Sequence, residues 1–236
     1  MIQDQVPRNL ACDIQRQGRA GRDLNGGQAM AVTYVTPSRV AQQYFLALED
    51  AEDLEQFNES VIACLNFGEC RHVQQGLWPA GAVQGMSETC VWRCGNCIRR
   101  ADGIGPGMAG GYEVNVHEVA RTLVGTQGKR DKGLLGEMDF LAKETTTHTF
   151  KNIVNYYSAT LDSQSDTKSK VPTAMVPFAV LLVCAYGFLK PTKNPVWPTR
   201  HNVLFKPHDY SMLKRLYSEA EIKGETVHWL PMSSQI

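Results

Sequence analysis

Cys90-Val91-Trp92-Arg93-Cys94-Gly95-Asn96-Cys97, read together with Cys70 upstream, is the stretch on which the architecture turns. Four cysteines in one short region suit a structural zinc ion, which takes four soft ligands at tetrahedral corners with sulfur at about 2.3 Å. Thiolates two or three residues apart can wrap one ion from a tight turn, and Gly95-Asn96 are residues that tolerate such a turn. Disulfides compete for the same residues, since the chain has seven cysteines. The C-x2-C spacing favours metal, with buried free cysteines or a redox pair as the remaining alternatives. Met1–Arg8 holds no apolar stretch that could serve as a secretory signal, so we expect a reducing compartment, nuclear or otherwise intracellular.

The surrounding composition is 43% hydrophobic and 20% charged, that of an ordinary globular protein. At 236 residues it accommodates one large domain or two small ones and can bury a core. Lys+Arg and Asp+Glu each total 24, which argues against a strongly basic nucleic-acid coat but leaves a local basic face open. The longest apolar run, Val176–Leu189, carries Pro177 and Gly187 and falls short of the ~20 residues of a membrane span. A buried element is expected there, and no membrane partner.

Before the cysteines, Ala29–Val35 is β-branched and apolar, as a buried strand would be. Thr36-Pro37-Ser38 breaks it, with Ser38 a candidate N-cap for a helix whose apolar face is Val40, Tyr44, Phe45 and Leu48. Leu54, Phe57, Val61, Ile62 and Leu65 then mark a second amphipathic helix, acidic outside, leading into Cys70. Ala101–Gly111 is rich in glycine and is the best linker candidate. Gly103-Ile104-Gly105-Pro106-Gly107 within it lacks the preceding strand of a phosphate-binding loop. Further on, helices are expected over Val114–Val124, Phe150–Tyr157 and Phe178–Tyr186, and an exposed loop over Asp162–Lys170. A strand from Leu189, a loop Pro191–His201 and a strand Asn202–Phe205 should follow. A helix followed by two strands joined by a polar loop has the outline of a winged helix, one that also arises often by chance.

Gln15-Arg16-Gln17-Gly18-Arg19-Ala20-Gly21-Arg22 carries the sharpest catalytic signal. Two arginines three residues apart with glycine between them can be presented from one turn, and guanidinium binds phosphate oxygens bidentately. Without its flanks, the block is equally an Arg-rich surface turn. Together with Pro7-Arg8-Asn9-Leu10 before it and Asp23 after it, the segment resembles the last motif of the RecQ family of 3′–5′ DNA helicases. That family carries a four-cysteine zinc module just after its second motor lobe. Cys70-Arg71-His72 and Cys94-Gly95-Asn96-Cys97 match it in order, so the resemblance covers roughly residues 5 to 100.

The resemblance implies an organisation and a set of roles. Residues 1–50 would be the C-terminal end of helicase lobe 2, an α/β remnant of a RecA-like lobe. Residues 51–100 would form a mainly helical zinc-binding module, 101–111 a linker, and 112–236 an α+β C-terminal region with the winged-helix outline. Cys70, Cys90, Cys94 and Cys97 would hold structural Zn2+. Arg19 and Arg22 would face ATP, with Arg22 toward the γ-phosphate and Gln15 supporting them or coupling them to DNA. The partner would be DNA at a junction of single strand and duplex, in the ATP-driven unwinding that serves DNA repair and recombination.

Two departures bear on the motif, since Arg16 stands where the family usually has an acid and Asp13 where it has an aromatic. No Gly-x-x-x-x-Gly-Lys-Ser/Thr loop and no Asp-Glu-x-His block occur in the chain. ATP and Mg2+ would therefore bind only with the first helicase lobe, supplied by an upstream region or a partner chain. By itself the chain should not hydrolyse ATP. The competing expectation is a stand-alone zinc-stabilised DNA-binding or interaction module without ATPase activity. His117, His148, His201 and His208 show no metal-like spacing and read as surface or packed residues. Cys12, Cys64 and Cys184 read as small buried hydrophobes, Trp78 and Trp92 as covers of the zinc loop, and Lys129–Lys132 as a solvated turn.

Overall fold

The structure, a computed structural model, describes residues 2–3, 5–17, 31–66, 70, 94, 96–97, 112–125, 133–136, 147–163, 173–223 and 226–229. The readings made for Arg19, Arg22, Trp78, Cys90, Trp92, the 101–111 linker and Lys129–Lys132 lie outside them.

A short parallel pair opens the fold, β1 (Ile2–Gln3) beside β2 (Val32–Thr33), with α1 (Leu10–Gln17) in between in the chain. Helices α2 (Pro37–Ala47) and α3 (Ala51–Leu65) follow. The tight corner between them is set by Asp50, whose carboxylate accepts from the Glu52 amide at 2.8 Å and caps α3. Glu52 and Asp53 in the first turn of α3 also complement the helix dipole. As the spacing predicts, α2 buries Val40 and Tyr44, and α3 buries Phe57, Val61 and Leu65.

In the C-terminal half come β3 (Tyr112–Asn115), α4 (Val116–Val124), β4 (His148–Thr149) and α5 (Phe150–Ser163). A 3-10 turn at Thr173–Met175 leads into α6 (Val176–Ala185), followed by β5 (Leu189–Lys193), β6 (Val203–Pro207), α7 (Tyr210–Lys223) and β7 (Thr226–Trp229). Strand β6 is central to a three-stranded antiparallel sheet of order β4-β6-β5, with Pro191 opposite Phe205 and His148 also opposite Phe205. Strand β5 lies at the edge, where a strand proline is tolerated. Strands β3 and β7 pair antiparallel as a separate ribbon.

Helix α6 explains how the halves meet. It is apolar on every side and buries Val176 and all of Ala179–Ala185, so no face of it can be turned to water. It packs against α2 and α3 from the first half and against α4, α5 and β5 from the second. One hydrophobic cluster consequently runs through both halves, from Val6 and Val40 to Leu213 and Tyr217. Tyr44 sits at the junction, wholly buried, with its ring edge-on to Phe57 at 4.9 Å and to Phe205 at 5.9 Å. Its hydroxyl bonds Asn58 Oδ1 at 2.9 Å, which satisfies the one polar atom of a side chain enclosed by α3 and β6. Burial raises the Tyr44 hydroxyl well above the usual tyrosine range, and the Cys184 thiol beside it adds to the shift.

Several local expectations change. The strand expected over Ala29–Val35 is, among the described residues, the two half-buried residues of β2, because only β1 pairs with it. Thr36 rather than Ser38 precedes the first turn of α2, since Pro37 with its fixed φ is favoured at the opening helical position. Val114 and Asn115 belong to β3, and the helix starts two residues later than expected, at Val116, because the Asn115 side chain accepts from the His117 and Glu118 amides at 3.0 and 3.2 Å. Helix α5 runs on to Ser163, past the expected end at Tyr157. Gly187, at φ +83, makes the turn from α6 into β5 that other residues would resist.

Asp209 precedes α7, accepting from the Ser211 hydroxyl at 2.6 Å and the Met212 amide at 3.0 Å. These bonds, the Ser211 one first, lower its carboxyl from 3.8 to about 2. A carboxyl lowered on folding stabilises above its unfolded value and loses that contribution as pH falls through the folded one. The Met212 amide resonance should therefore titrate with a midpoint near 2 and not near 3.8, and Asp209→Asn should abolish that step. Leu182→Ala, which empties a wholly buried site in α6, should cost about 2–5 kcal/mol in denaturant unfolding of the full chain.

Candidate metal centre

The last turn of α3 delivers the chain to Asn66, whose extended backbone ends the helix just before Cys70. Cys94 and Cys97 arrive from far along the sequence, with Asn96 and Cys97 in a helical turn. Asn96 is buried, and its Nδ2 donates to the Asn66 carbonyl at 3.1 Å. That bond serves a carbonyl beyond the helix end and pins the Cys94-x-x-Cys97 turn onto α3. Gly95-Asn96 was expected only to tolerate a turn. The Asn96 amide does more, and the sequence signal for it is an asparagine inside the C-x2-C pair.

The sulfurs of Cys70, Cys94 and Cys97 all lie within 4.8 Å of one another, with Cys70 and Cys97 buried and Cys94 half-buried. Cys70 Sγ and Cys94 Sγ are 3.9 Å apart. A disulfide requires about 2.05 Å, so these are separate thiols. A tetrahedron with metal–sulfur bonds of about 2.3 Å has sulfur–sulfur edges of about 3.8 Å, which the Cys70–Cys94 distance matches. The donor set therefore fits a soft divalent ion. Among the described residues these three are the group that could hold a metal, and no histidine joins them. Cys90, the expected fourth ligand, lies outside the described residues.

Burial and the neighbouring thiols of Cys94 and Cys70 push the Cys97 thiol up to about 12. Cys97 holds its proton more tightly because a thiolate there would be poorly solvated. A bound cation supplies the charge that releases that proton, so metal uptake is expected to be proton-coupled.

The other end of α3 receives the arginine-motif segment. Asn9 Oδ1 accepts from the Cys12 amide at 2.8 Å and caps α1. Asn9 Nδ2 donates to Gln56 Oε1 at 3.1 Å, and Arg8 pairs with Asp53, both on α3. Of the residues expected to act on nucleotide, Gln15 is described and lies exposed on α1, whereas Arg19 and Arg22 are outside the described residues. Asp13 is buried and accepts from Gln17 Nε2 at 2.7 Å. Helix α3 thus holds Arg8 and Asn9 near its N-terminal end and the cysteine turn at its C-terminal end. His117 packs edge-on to Phe188 and His148 is buried in β4, in keeping with packed histidines.

A scan against protein-family models and a search of curated proteins both return no match to this chain. Metal analysis of chain purified without chelator should give about one zinc per chain. Cys94→Ser should lower that content and Cys12→Ser should not, and zinc affinity should weaken progressively on acidification.

Proposed function

We propose that this chain is the C-terminal part of a RecQ-like ATP-dependent 3′–5′ DNA helicase, in which a zinc-stapled helical platform carries a DNA-binding hairpin. The observation that carries the DNA-binding reading is the tip of the β5–β6 hairpin. Val196 and Trp197 there are 73% and 68% exposed, an unusual place to leave two apolar side chains. Residues 189–207 hold Lys190, Lys193, Arg200, His201 and Lys206 and no acidic residue, although the whole chain is neutral. An aromatic face amid cations is suited to stacking on a base while the flanking charges meet phosphates.

Connectivity supports a winged helix as the scaffold. The order α4, β4, α5, α6, β5, β6 with a β4-β6-β5 sheet is compatible with that scaffold, in which the hairpin would be the wing and α6 the third helix. Helix α6 buries Val176 and Ala179–Ala185 and has no polar face to offer a groove, so nucleic-acid contact would fall to the wing. The motif order supports the motor assignment. Gln15, Arg19 and Arg22 would act on ATP and Mg2+ held by a first lobe from an upstream region or a partner chain, with Zn2+ on Cys70, Cys90, Cys94 and Cys97 keeping the platform folded.

The second reading, a zinc-stabilised DNA-binding module without ATPase activity, predicts the same hairpin chemistry and differs only in the motor. Fluorescence anisotropy of the zinc-loaded chain on a duplex with a single-stranded tail tests the hairpin. Trp197→Ala should weaken binding about fivefold or more, and Lys190→Ala with Arg200→Ala should flatten the dependence on salt. Unchanged affinity in Trp197→Ala would remove the DNA-binding reading. ATP turnover with single-stranded DNA should be absent for the chain alone; a DNA-stimulated rate lost in Arg22→Ala would eliminate the inactive-module reading.

A further inference from the structure

The exposed tip of the hairpin is not a loose loop. Asn194 Oδ1 accepts from the Val196 amide at 2.9 Å and from the Trp197 amide at 3.1 Å. The Trp197 carbonyl accepts from the Thr199 amide at 2.8 Å, and the Thr199 carbonyl from the Asn202 amide at 2.9 Å, so the turn is bonded back toward β6. Pro195 and Pro198 bracket Val196-Trp197 and restrict φ on either side. At the base, Lys193 pairs with Glu49 at 2.7 Å and lies 5.1 Å from the centre of the Phe45 ring, which ties the end of β5 to the end of α2. Thr192 Oγ1 also donates to the Leu204 carbonyl at 3.4 Å across the hairpin.

We propose that Asn194 is a positioning residue for nucleic-acid binding, its side-chain oxygen holding the Trp197 backbone so that the indole is presented to a base before DNA arrives. This inference rests on the DNA-binding reading of the hairpin and adds to it the residue that sets the geometry. A large aromatic left in water is efficient as a binding group only if little conformational freedom is lost on docking. One acceptor that satisfies two successive amides holds those residues in a single turn, the role asparagine plays in side-chain-closed turns. Asn194 needs no contact with DNA to act in this way.

The test uses the full zinc-loaded chain and a tailed duplex with 5-iodouracil at the base pair beside the tail. Photo-cross-linking to Trp197, mapped by mass spectrometry at saturating DNA, reads stacking geometry independently of affinity. Asn194→Ala should lower the yield about three- to tenfold, with the salt dependence of binding unchanged because no cation is lost. Asn194→Asp keeps the acceptor and should restore the yield. Full yield in Asn194→Ala, or no recovery in Asn194→Asp, would overturn the positioning role. No cross-link to Trp197 in the unsubstituted chain, together with unchanged affinity in Trp197→Ala, would instead remove the reading of the hairpin on which that role depends.

Discussion

Enclosure of α6 is the constraint on which the rest of the structure depends. A helix with Val176 and Ala179–Ala185 all buried cannot lie on a surface, and each Leu or Val of it contributes about 1.5–3 kcal/mol only while covered. Covering it takes α2 and α3 on one side and α4, α5 and β5 on the other. The region after the cysteines is therefore not hung from the cysteine cluster but shares a core with α2 and α3. Tyr44 belongs at this junction because its ring reaches Phe57 and Phe205 together while Asn58 receives its hydroxyl.

Once α3 is fixed by that core, its two ends acquire different tasks. Near its N-terminus Asp53 and Gln56 hold Arg8 and Asn9, so α1 starts from a defined place. At its C-terminus the Asn66 carbonyl receives Asn96, and the Cys94-x-x-Cys97 turn is set against Cys70. The core positions Cys70 through α3, and the asparagine brings Cys94 and Cys97 to it, so that the three sulfurs could hold a metal ion.

The hairpin depends on the same core at one remove. Strand β6 is central to its sheet, and Phe205 within it packs on Tyr44 and Phe150, so the hairpin base is rigid before any contact at the tip. Lys193 and Asn194, adjacent in sequence, divide the remaining task, one tying the strand end to α2 and the other closing the turn. What is left exposed is an indole on a fixed mount within a cationic strand pair.

Much of this was legible in residue patterns. The apolar spacing in α2 and α3 and the strand–loop–strand run after α6 follow from side-chain periodicity and from turn residues, which act over a few positions. The gathering of cysteines pointed to a metal site, and the three of its thiols among the described residues converge. Local rules were less sure at boundaries, where Pro37 displaced Ser38 and Asn115 moved the start of α4, because two nearby residues competed for the same role. Tertiary structure alone decided that β4 joins β6, that α6 unites both halves, that Asn96 clamps α3, and that Trp197 stays in water while Tyr44 does not. Those outcomes depend on which distant segments pack together, and a pattern spanning a few residues carries no information about what will cover it.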